Sequence, residues 1–189
     1  MSSTNNKVKF GLKNCHYAKA TLDPDTNAVT FGTPVAIPGA VNLSLDPEGD
    51  TEPFYADDMV YYTTVANNGY SGDLEMALIP EWFRTDILQE EKDSNGVLIE
   101  RSDVTESVYF ALLFEFDGDV RAIRHVLYNC KASRPTLNSE TTGETIEPVT
   151  ETLTIRATAR DYDHLVKAKC KEGDTSYSTF FSAVVVPTI

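Results

Sequence analysis

Apolar and polar residues alternate along much of the chain with the period of two that is typical of β-strands. The strongest pattern is the segment 108–116, which is apolar on both of its faces. Its even face consists of Phe110, Leu112, Phe114 and Phe116, and its odd face of Tyr109, Ala111 and Leu113. A sheet with one solvated face cannot accommodate such a strand. We therefore expect the even face to lie in a core and the odd face to meet a helix or a neighbouring subunit.

Strand patterns dominate the rest of the chain. In the segment 149–160, apolar residues alternate with threonine or arginine at every position except Glu151, which predicts a strand with one buried face. The segment 177–186 is aromatic and β-branched, and we expect it to form a terminal hairpin with 165–170. Further strands are predicted at 7–12, 16–23, 28–31, 40–45, 59–65, 72–78 and 97–100.

One helix is predicted from Pro80 to Leu88. Proline suits a first helical position because its φ is fixed and it lacks an N–H. Phe83 and Ile87 lie four residues apart and share a face. Trp82 is expected to be a core anchor, and the turn residues 93–96 are expected to end the helix region.

Two segments are predicted to be long surface connections within a single domain spanning 1–189. The first, 46–58, is acidic, contains two prolines, and carries Phe54 and Tyr55 near its middle. Two adjacent aromatic residues on an exposed loop favour a docking role. The second connection, 133–148, is rich in threonine, glutamate and serine.

Composition and charge argue against nucleic-acid binding, membrane insertion and secretion. The chain has 189 residues, is 41% hydrophobic, and carries a net charge of −13 from 29 acidic and 16 basic residues. A strongly acidic protein is not expected to bind the phosphate backbone of nucleic acid, because such binding depends on lysine and arginine. No run approaches the ~20 apolar residues of a membrane span. No secretion signal is recognisable near residue 1, which predicts a cytoplasmic location with three reduced cysteines.

The residues with reactive side chains form no catalytic pattern. Residues 69–73 resemble the Gly-x-Ser-x-Gly turn of hydrolases, but Asp73 occupies the position of the second glycine. The three histidines have no metal-ligand spacing. A cluster formed by Asp46, Glu48, Asp50 and Glu52 is compatible with a divalent cation, although a solvated acidic loop is the simpler interpretation. We therefore predict a protein that is not an enzyme and has no cofactor.

Several short motifs together resemble the major tail protein, or tail tube protein, of long-tailed bacteriophages. They are the turn 67–70 (NNGY), the helix 80–88 (PEWF and then DIL), the segment 124–129 (RHVLYN), and the terminal Tyr177, Phe180, Phe181 and Pro187. The resemblance implies a mainly β (α+β) fold of two antiparallel sheets packed as a sandwich or partial barrel, with one flanking α-helix and long loops. It also implies hexameric rings that stack into a tube, a conduit for viral DNA that passes without specific binding.

In this resemblance the segment 46–58 reaches the adjoining ring, and the tape measure and tail terminator proteins are further partners. The protein would be part of the virion and be assembled in the bacterial host cytoplasm. The candidate contact residues between subunits or rings are Asp46, Glu48, Asp50, Glu52, Phe54, Tyr55, Asp57, Asp58, Tyr109 and Leu113. The alternative is a β-sandwich recognition module that binds a carbohydrate or a protein partner through its exposed aromatic residues.

Overall fold

The computed structural model describes residues 11–26, 28–103, 108–117, 122–139, 141 and 148–187. Strands account for 48% of these residues and helix for 4%, so the predicted mainly β class with one short helix is confirmed. The helix α1 spans Glu81–Asp86. The strands are β1 (Leu12–Leu22), β2 (Val29–Phe31), β3 (Val35–Ala36), β4 (Ala40–Glu48), β5 (Thr51–Ala56), β6 (Met59–Val65), β7 (Gly69–Met76), β8 (Glu91–Lys92), β9 (Leu98–Ile99), β10 (Phe110–Phe116), β11 (Arg124–Ala132), β12 (Glu151–Thr158) and β13 (Lys167–Cys170).

Nine strands form one large antiparallel sheet in the order β2-β1-β10-β11-β12-β7-β4, with β3 beside β1 and β13 beside β11. The same side of β11 serves two partners: Arg124–Leu127 pair with β13, and Asn129–Ala132 pair with β12. The described strands do not close into a barrel. The pairs β5–β6 and β8–β9 are small sheets of their own.

Both faces of β10 are buried within the single chain. Its even face lies in a first core together with Phe83 and Ile87 of the helix region. Its odd face, represented by Ala111 and Leu113, lies in a second core under residues 177–185. The expectation that a helix or a neighbouring subunit covers the odd face is therefore wrong, because the C-terminal segment 171–187 covers it.

The C-terminal segment is not the predicted strand. Its backbone forms tight turns, in which the amide of Phe180 donates to Tyr177 O at 3.3 Å and that of Ser182 to Thr179 O at 2.9 Å. Phe180 is buried in the second core. β-branched and aromatic residues favour a strand only where they have a pleated surface to pack on. Here the same residues gain more burial by lying across the large sheet.

The helix is shorter than predicted. Pro80 occupies the N-cap position with ψ 144°, and the helix ends at Asp86. Phe83 is fully buried, but Trp82 is 48% exposed. The prediction of Trp82 as a core anchor is wrong, because one residue corresponds to about 100° around a helix, which turns Trp82 away from the face of Phe83. Residues 93–96 form the turn between β8 and β9 instead of a helix end.

Some predictions fall partly outside the described residues. Most of the predicted strand 7–12 does so. The described part of the connection 133–148, namely 133–139, 141 and 148, contains neither strand nor helix. The assignment of 1–189 to one domain stays a prediction.

Candidate assembly surface

The segment 46–58 is the end of one strand followed by half of a β-hairpin, so its prediction as a long loop is wrong. β5 and β6 pair antiparallel from Thr51 and Val65 at the base to Ala56 and Met59 at the tip. Asp57 and Asp58 form the turn, with φ values of 51° and 60°. A two-residue type I′ turn requires positive φ at both positions, and aspartate tolerates it better than most residues. We call residues 51–65 the ribbon.

The ribbon continues the ladder of β4 and β7 beyond the large sheet. The Asn68 amide donates to Glu48 O at 2.8 Å and the Ala66 amide to Asp50 O at 3.0 Å, which joins ribbon and sheet. Apart from these bonds, the two ribbon strands contact mainly each other among the described elements. All side chains of 51–55 and 59–65 are exposed. The ribbon therefore projects from the body of the protein.

The exposed surface of the ribbon is unusually apolar. Phe54 and Tyr62, which are direct partners across the ribbon, are 61% and 63% exposed, and Tyr61 is 72% exposed. The other exposed large hydrophobic residues are Tyr55, Met59, Val60 and Val65. Large apolar side chains concentrated on an exposed segment in this way are typical of interaction sites on soluble proteins.

Acidic residues surround this apolar surface. Asp50, Glu52, Asp57 and Asp58 lie on or beside the ribbon, and residues 49–66 include neither lysine nor arginine. The remaining predicted acidic residues, Asp46 and Glu48, belong to β4. Glu48 forms an ion pair with Arg156, in which Arg156 Nη2 lies 2.9 Å from Glu48 Oε2. Within the described ranges, no group of three or more His, Cys, Asp or Glu side chains could hold a metal ion.

The other two candidate contact residues have different environments. Tyr109 is 42% exposed, and the Lys131 ammonium lies 4.4 Å from its ring centroid. Leu113 is fully buried in the second core. A subunit contact through Leu113 therefore requires the C-terminal segment to move away.

A groove and a basic strand lie on another part of the surface. The groove has a volume of about 310 Å³ and is lined by side chains of β4, β7, β10, β11 and β13. Its apolar lining includes Leu43, Leu45, Phe114 and Phe116. Lys167 lies beside it, with its ammonium 4.1 Å from the Tyr70 ring centroid. Lys167, Lys169 and Lys171 follow the period of two, and we call 167–171 the basic strand.

Sequence reasoning missed two parts of this surface. The sequence pattern predicts Tyr61 and Tyr62 to lie in the strand 59–65 and gives them no role in contact, because it predicts a docking loop that ends at Asp58. The alternation of lysines at 167–171 is visible in the sequence, but it suggests a contact surface only when the adjacent groove is known.

Several cysteine and histidine side chains of the described residues are packed against or hydrogen-bonded to their neighbours. Burial raises the pKa of the Cys15 and Cys130 thiols to about 12, which keeps both sulfurs protonated and poorly nucleophilic. His16 Nδ1 lies 2.8 Å from Asn14 O, and His125 stacks on Phe114 with ring centroids 5.3 Å apart. None of the described helices is long and apolar enough to cross a bilayer.

Comparison with protein families gives one match over nearly the whole chain. Residues 2–179 match the model of a family described as phage tail tube protein. A search of curated proteins found no match.

The chain is also similar to three solved structures from contractile injection systems. One is a chain of the sheath-tube complex of the extracellular PVC system in its extended state, with 10% identity and a TM-score of 0.48 over 90% of this chain and 99% of that one. Another is a chain of the anti-feeding prophage baseplate, with 9% identity and a TM-score of 0.47 over 90% and 97%. A third is a chain of the tube-terminating cap of that prophage, with 12% identity and a TM-score of 0.41 over 90% and 99%.

Proposed function

The chain belongs to the phage tail tube protein family, and we propose that six copies close into a ring and that such rings stack into the hollow tube of a phage tail. Membership of the family makes the protein a structural component of a virion tail. The single observation that carries the proposal further is the ribbon, an apolar hairpin that projects into solvent with few contacts to its own chain.

An isolated two-stranded hairpin is marginally stable in water, and its exposed aromatic residues favour association. Complete burial of a large apolar side chain contributes roughly 1.5–3 kcal/mol. The seven large apolar residues of the ribbon are between 51% and 74% exposed, so covering all of them contributes on the order of 7–13 kcal/mol. Association costs about 4–15 kcal/mol of lost rigid-body freedom and side-chain ordering. One ribbon contact therefore roughly offsets that cost, and a stable ring uses at least one further contact.

The predicted contact residues divide by their environment. Phe54, Tyr55, Asp57 and Asp58 are exposed on the ribbon and remain our candidates for the contact between rings or subunits. Asp50 and Glu52 flank its base, and Asp46 and Glu48 in β4 extend the same acidic surface. Tyr109 is a candidate for a second contact. Leu113 is a candidate only in an assembled state in which the C-terminal segment has moved.

The net charge of −13 is compatible with a tube through which DNA moves. Like charges on the tube wall and the phosphate backbone repel each other, and salt restricts that repulsion to about 8–10 Å. The genome would then pass without specific binding. In this proposal the whole chain is one tube domain, the tape measure and tail terminator proteins are its partners, and assembly takes place in the cytoplasm of the bacterial host.

Replacing both Phe54 and Tyr55 by alanine tests the role of the ribbon. We expect unchanged far-UV circular dichroism and at least a tenfold loss of rings and tubes, counted by negative-stain electron microscopy at equal protein concentration. A matched control replaces Leu78 and Tyr162, which are similarly exposed but lie elsewhere, and is expected to assemble normally. Equal tube yield from the ribbon variant would contradict the proposal.

The recognition module remains the alternative because the same exposed aromatic residues suit a carbohydrate or protein partner. A glycan array with the purified protein separates the two functions. Saturable binding by a protein that stays monomeric under every assembly condition favours the module, whereas tubes without glycan binding favour the tail tube.

A further inference from the structure

We infer that the ribbon of one copy docks into the groove of a second copy, with its acidic residues against the basic strand of that copy. This inference rests on the proposed function and names the surface that receives the ribbon. It follows from three properties of the described residues: an unpaired strand edge, an apolar groove of suitable size, and opposite charge on the two surfaces.

The basic strand includes an edge strand of the large sheet. β13 pairs with β11 through Arg124–Leu127, and it has no second partner among the described strands. Its outward-facing N–H and C=O groups are therefore available to another strand. Adding a strand from a partner at such an edge is a common mode of recognition, in which backbone hydrogen bonds contribute affinity and side-chain pockets contribute specificity. The ribbon supplies two strands, each with one unpaired edge.

The groove supplies the side-chain pocket. Lys167 and Ala168 of β13 line it together with Leu43 and Leu45 of β4, and aromatic side chains of β10 contribute further apolar surface. Its volume of about 310 Å³ lies at the lower end of the ~300–1,000 Å³ typical of ligand sites, which leaves room for aromatic side chains. Phe54 and Tyr62 are direct partners across the ribbon, and they are the aromatic side chains that we expect to enter the groove.

The charges of the two surfaces are complementary. The ribbon and its base carry Asp50, Glu52, Asp57 and Asp58 with no basic residue. The basic strand carries three lysines within five residues, in a chain whose net charge is −13. No carboxylate of the described residues forms an ion pair with Lys167, Lys169 or Lys171. Copies that repel each other through their net charge need such local complementarity to approach in one orientation.

A second copy of this chain is the occupant that the geometry favours. The ribbon does not fold back onto its own groove, since all of its side chains except that of Ala56 are exposed. Six residues of extended strand reach about 20 Å, which is enough to cross to a neighbour. A contact between two different surfaces of identical subunits is heterologous, and it produces a closed ring or an open stack depending on the rotation. Both outcomes belong to the proposed function.

Photocross-linking identifies the receiving surface directly. Tyr62 is replaced by a benzoylphenylalanine residue, and tubes are grown from a mixture of this protein with isotope-labelled wild-type chains. We expect irradiation to join residue 62 to peptides that contain residues 43–45 or 167–171 of the isotope-labelled wild-type chains, as identified by mass spectrometry.

Charge reversal tests the electrostatic part. Lys169→Glu with Lys171→Glu is expected to raise the protein concentration needed for tubes at least tenfold, and Asp57→Lys with Asp58→Lys in the same chain is expected to recover part of that loss. Lys19→Glu with Arg134→Glu introduces the same change in net charge at exposed positions elsewhere and is expected to have a much smaller effect.

The possible failures are distinguishable. Tubes whose cross-links fall elsewhere, or a control variant that assembles as poorly as the basic-strand variant, overturn the docking inference and leave the tail tube function standing. Wild-type protein that forms neither rings nor tubes overturns both.

Discussion

At the scale of single residues, a partly buried charge network joins the large sheet to the C-terminal segment. Glu115 lies next to the second core and accepts hydrogen bonds from Arg124 Nε at 3.0 Å and Asn14 Nδ2 at 2.6 Å. The Arg124 guanidinium also donates to Tyr177 O and lies 3.8 Å from the Tyr177 ring centroid. One arginine therefore neutralises a buried carboxylate and holds the cover of β10 in place.

Replacing Arg124 by alanine is expected to lower the free energy of unfolding by about 2–4 kcal/mol, because it leaves the Glu115 carboxylate buried without its main partner. Urea denaturation followed by circular dichroism measures the change. The control is Arg101→Ala, which removes an arginine from an exposed ion pair with Asp103 and is expected to leave the urea midpoint almost unchanged. Similar effects from both variants would show that the Arg124 network does not stabilise the fold.

At the scale of the element, β4 and β7, the two strands that lead into the ribbon, approach each other closely at Gly72. Gly72 lies in β7 between Leu45 of β4 and Ile155 of β12. A Cβ atom at this position would lie 1.9 Å from the backbone carbonyl oxygen of Ser44. Since that oxygen belongs to the main chain of β4, it cannot move aside without displacing the strand.

Gly72→Ala is therefore expected to destabilise the protein by about 1–3 kcal/mol through overpacking and to weaken assembly, because β4 carries the ribbon. Thermal unfolding and tube counts measure the two effects. Gly32→Ala is the matched control, since its Cβ would lie 3.7 Å from the nearest oxygen, an ordinary contact. A Gly72 variant as stable as the Gly32 variant would contradict the predicted clash.

The ribbon also explains why a sequence pattern failed. Its first strand contains Pro53 and follows Pro47 and Gly49, and such residues usually indicate a loop. Proline is tolerated in a strand that lacks a partner on one side, which is the situation of β5. Composition alone does not distinguish an exposed ribbon from an exposed loop here, because proline, glycine and acidic residues are compatible with both.

At the scale of the whole molecule, the ribbon lies outside the two cores of the large sheet. Among the described residues, neither core includes a side chain from 49–68. Glu48 and Gly69 are paired directly across β4 and β7. A two-residue turn can therefore connect them without altering the large sheet.

Replacing 49–68 by Asn-Gly is expected to leave a folded monomer whose melting temperature differs by only a few degrees, because both cores remain complete. The same protein is expected to form no tubes. Differential scanning calorimetry and light scattering measure the two properties, and the Leu78 and Tyr162 variant serves as the assembling control. Tubes from the shortened chain would assign assembly to surfaces other than the ribbon.

The amino-acid sequence is sufficient to predict the high strand content, the helix near Phe83, the even face of β10 as core, and the acidic exposed segment with Phe54 and Tyr55. These follow from local periodicity and composition, which every strand carries in its own residues. The resemblance to tail tube proteins was also readable from short motifs, and the family match confirms it.

What covers each of these apolar faces depends on the tertiary structure. The C-terminal segment, predicted as a strand, covers Ala111 and Leu113, whereas Trp82 and the ribbon aromatics remain in solvent. The groove beside the basic strand likewise depends on five strands that are distant in sequence. The physical reason is that burial depends on which surfaces meet across the chain. The local sequence shows which face of an element is apolar. Only the packing of distant elements specifies what that apolar face contacts.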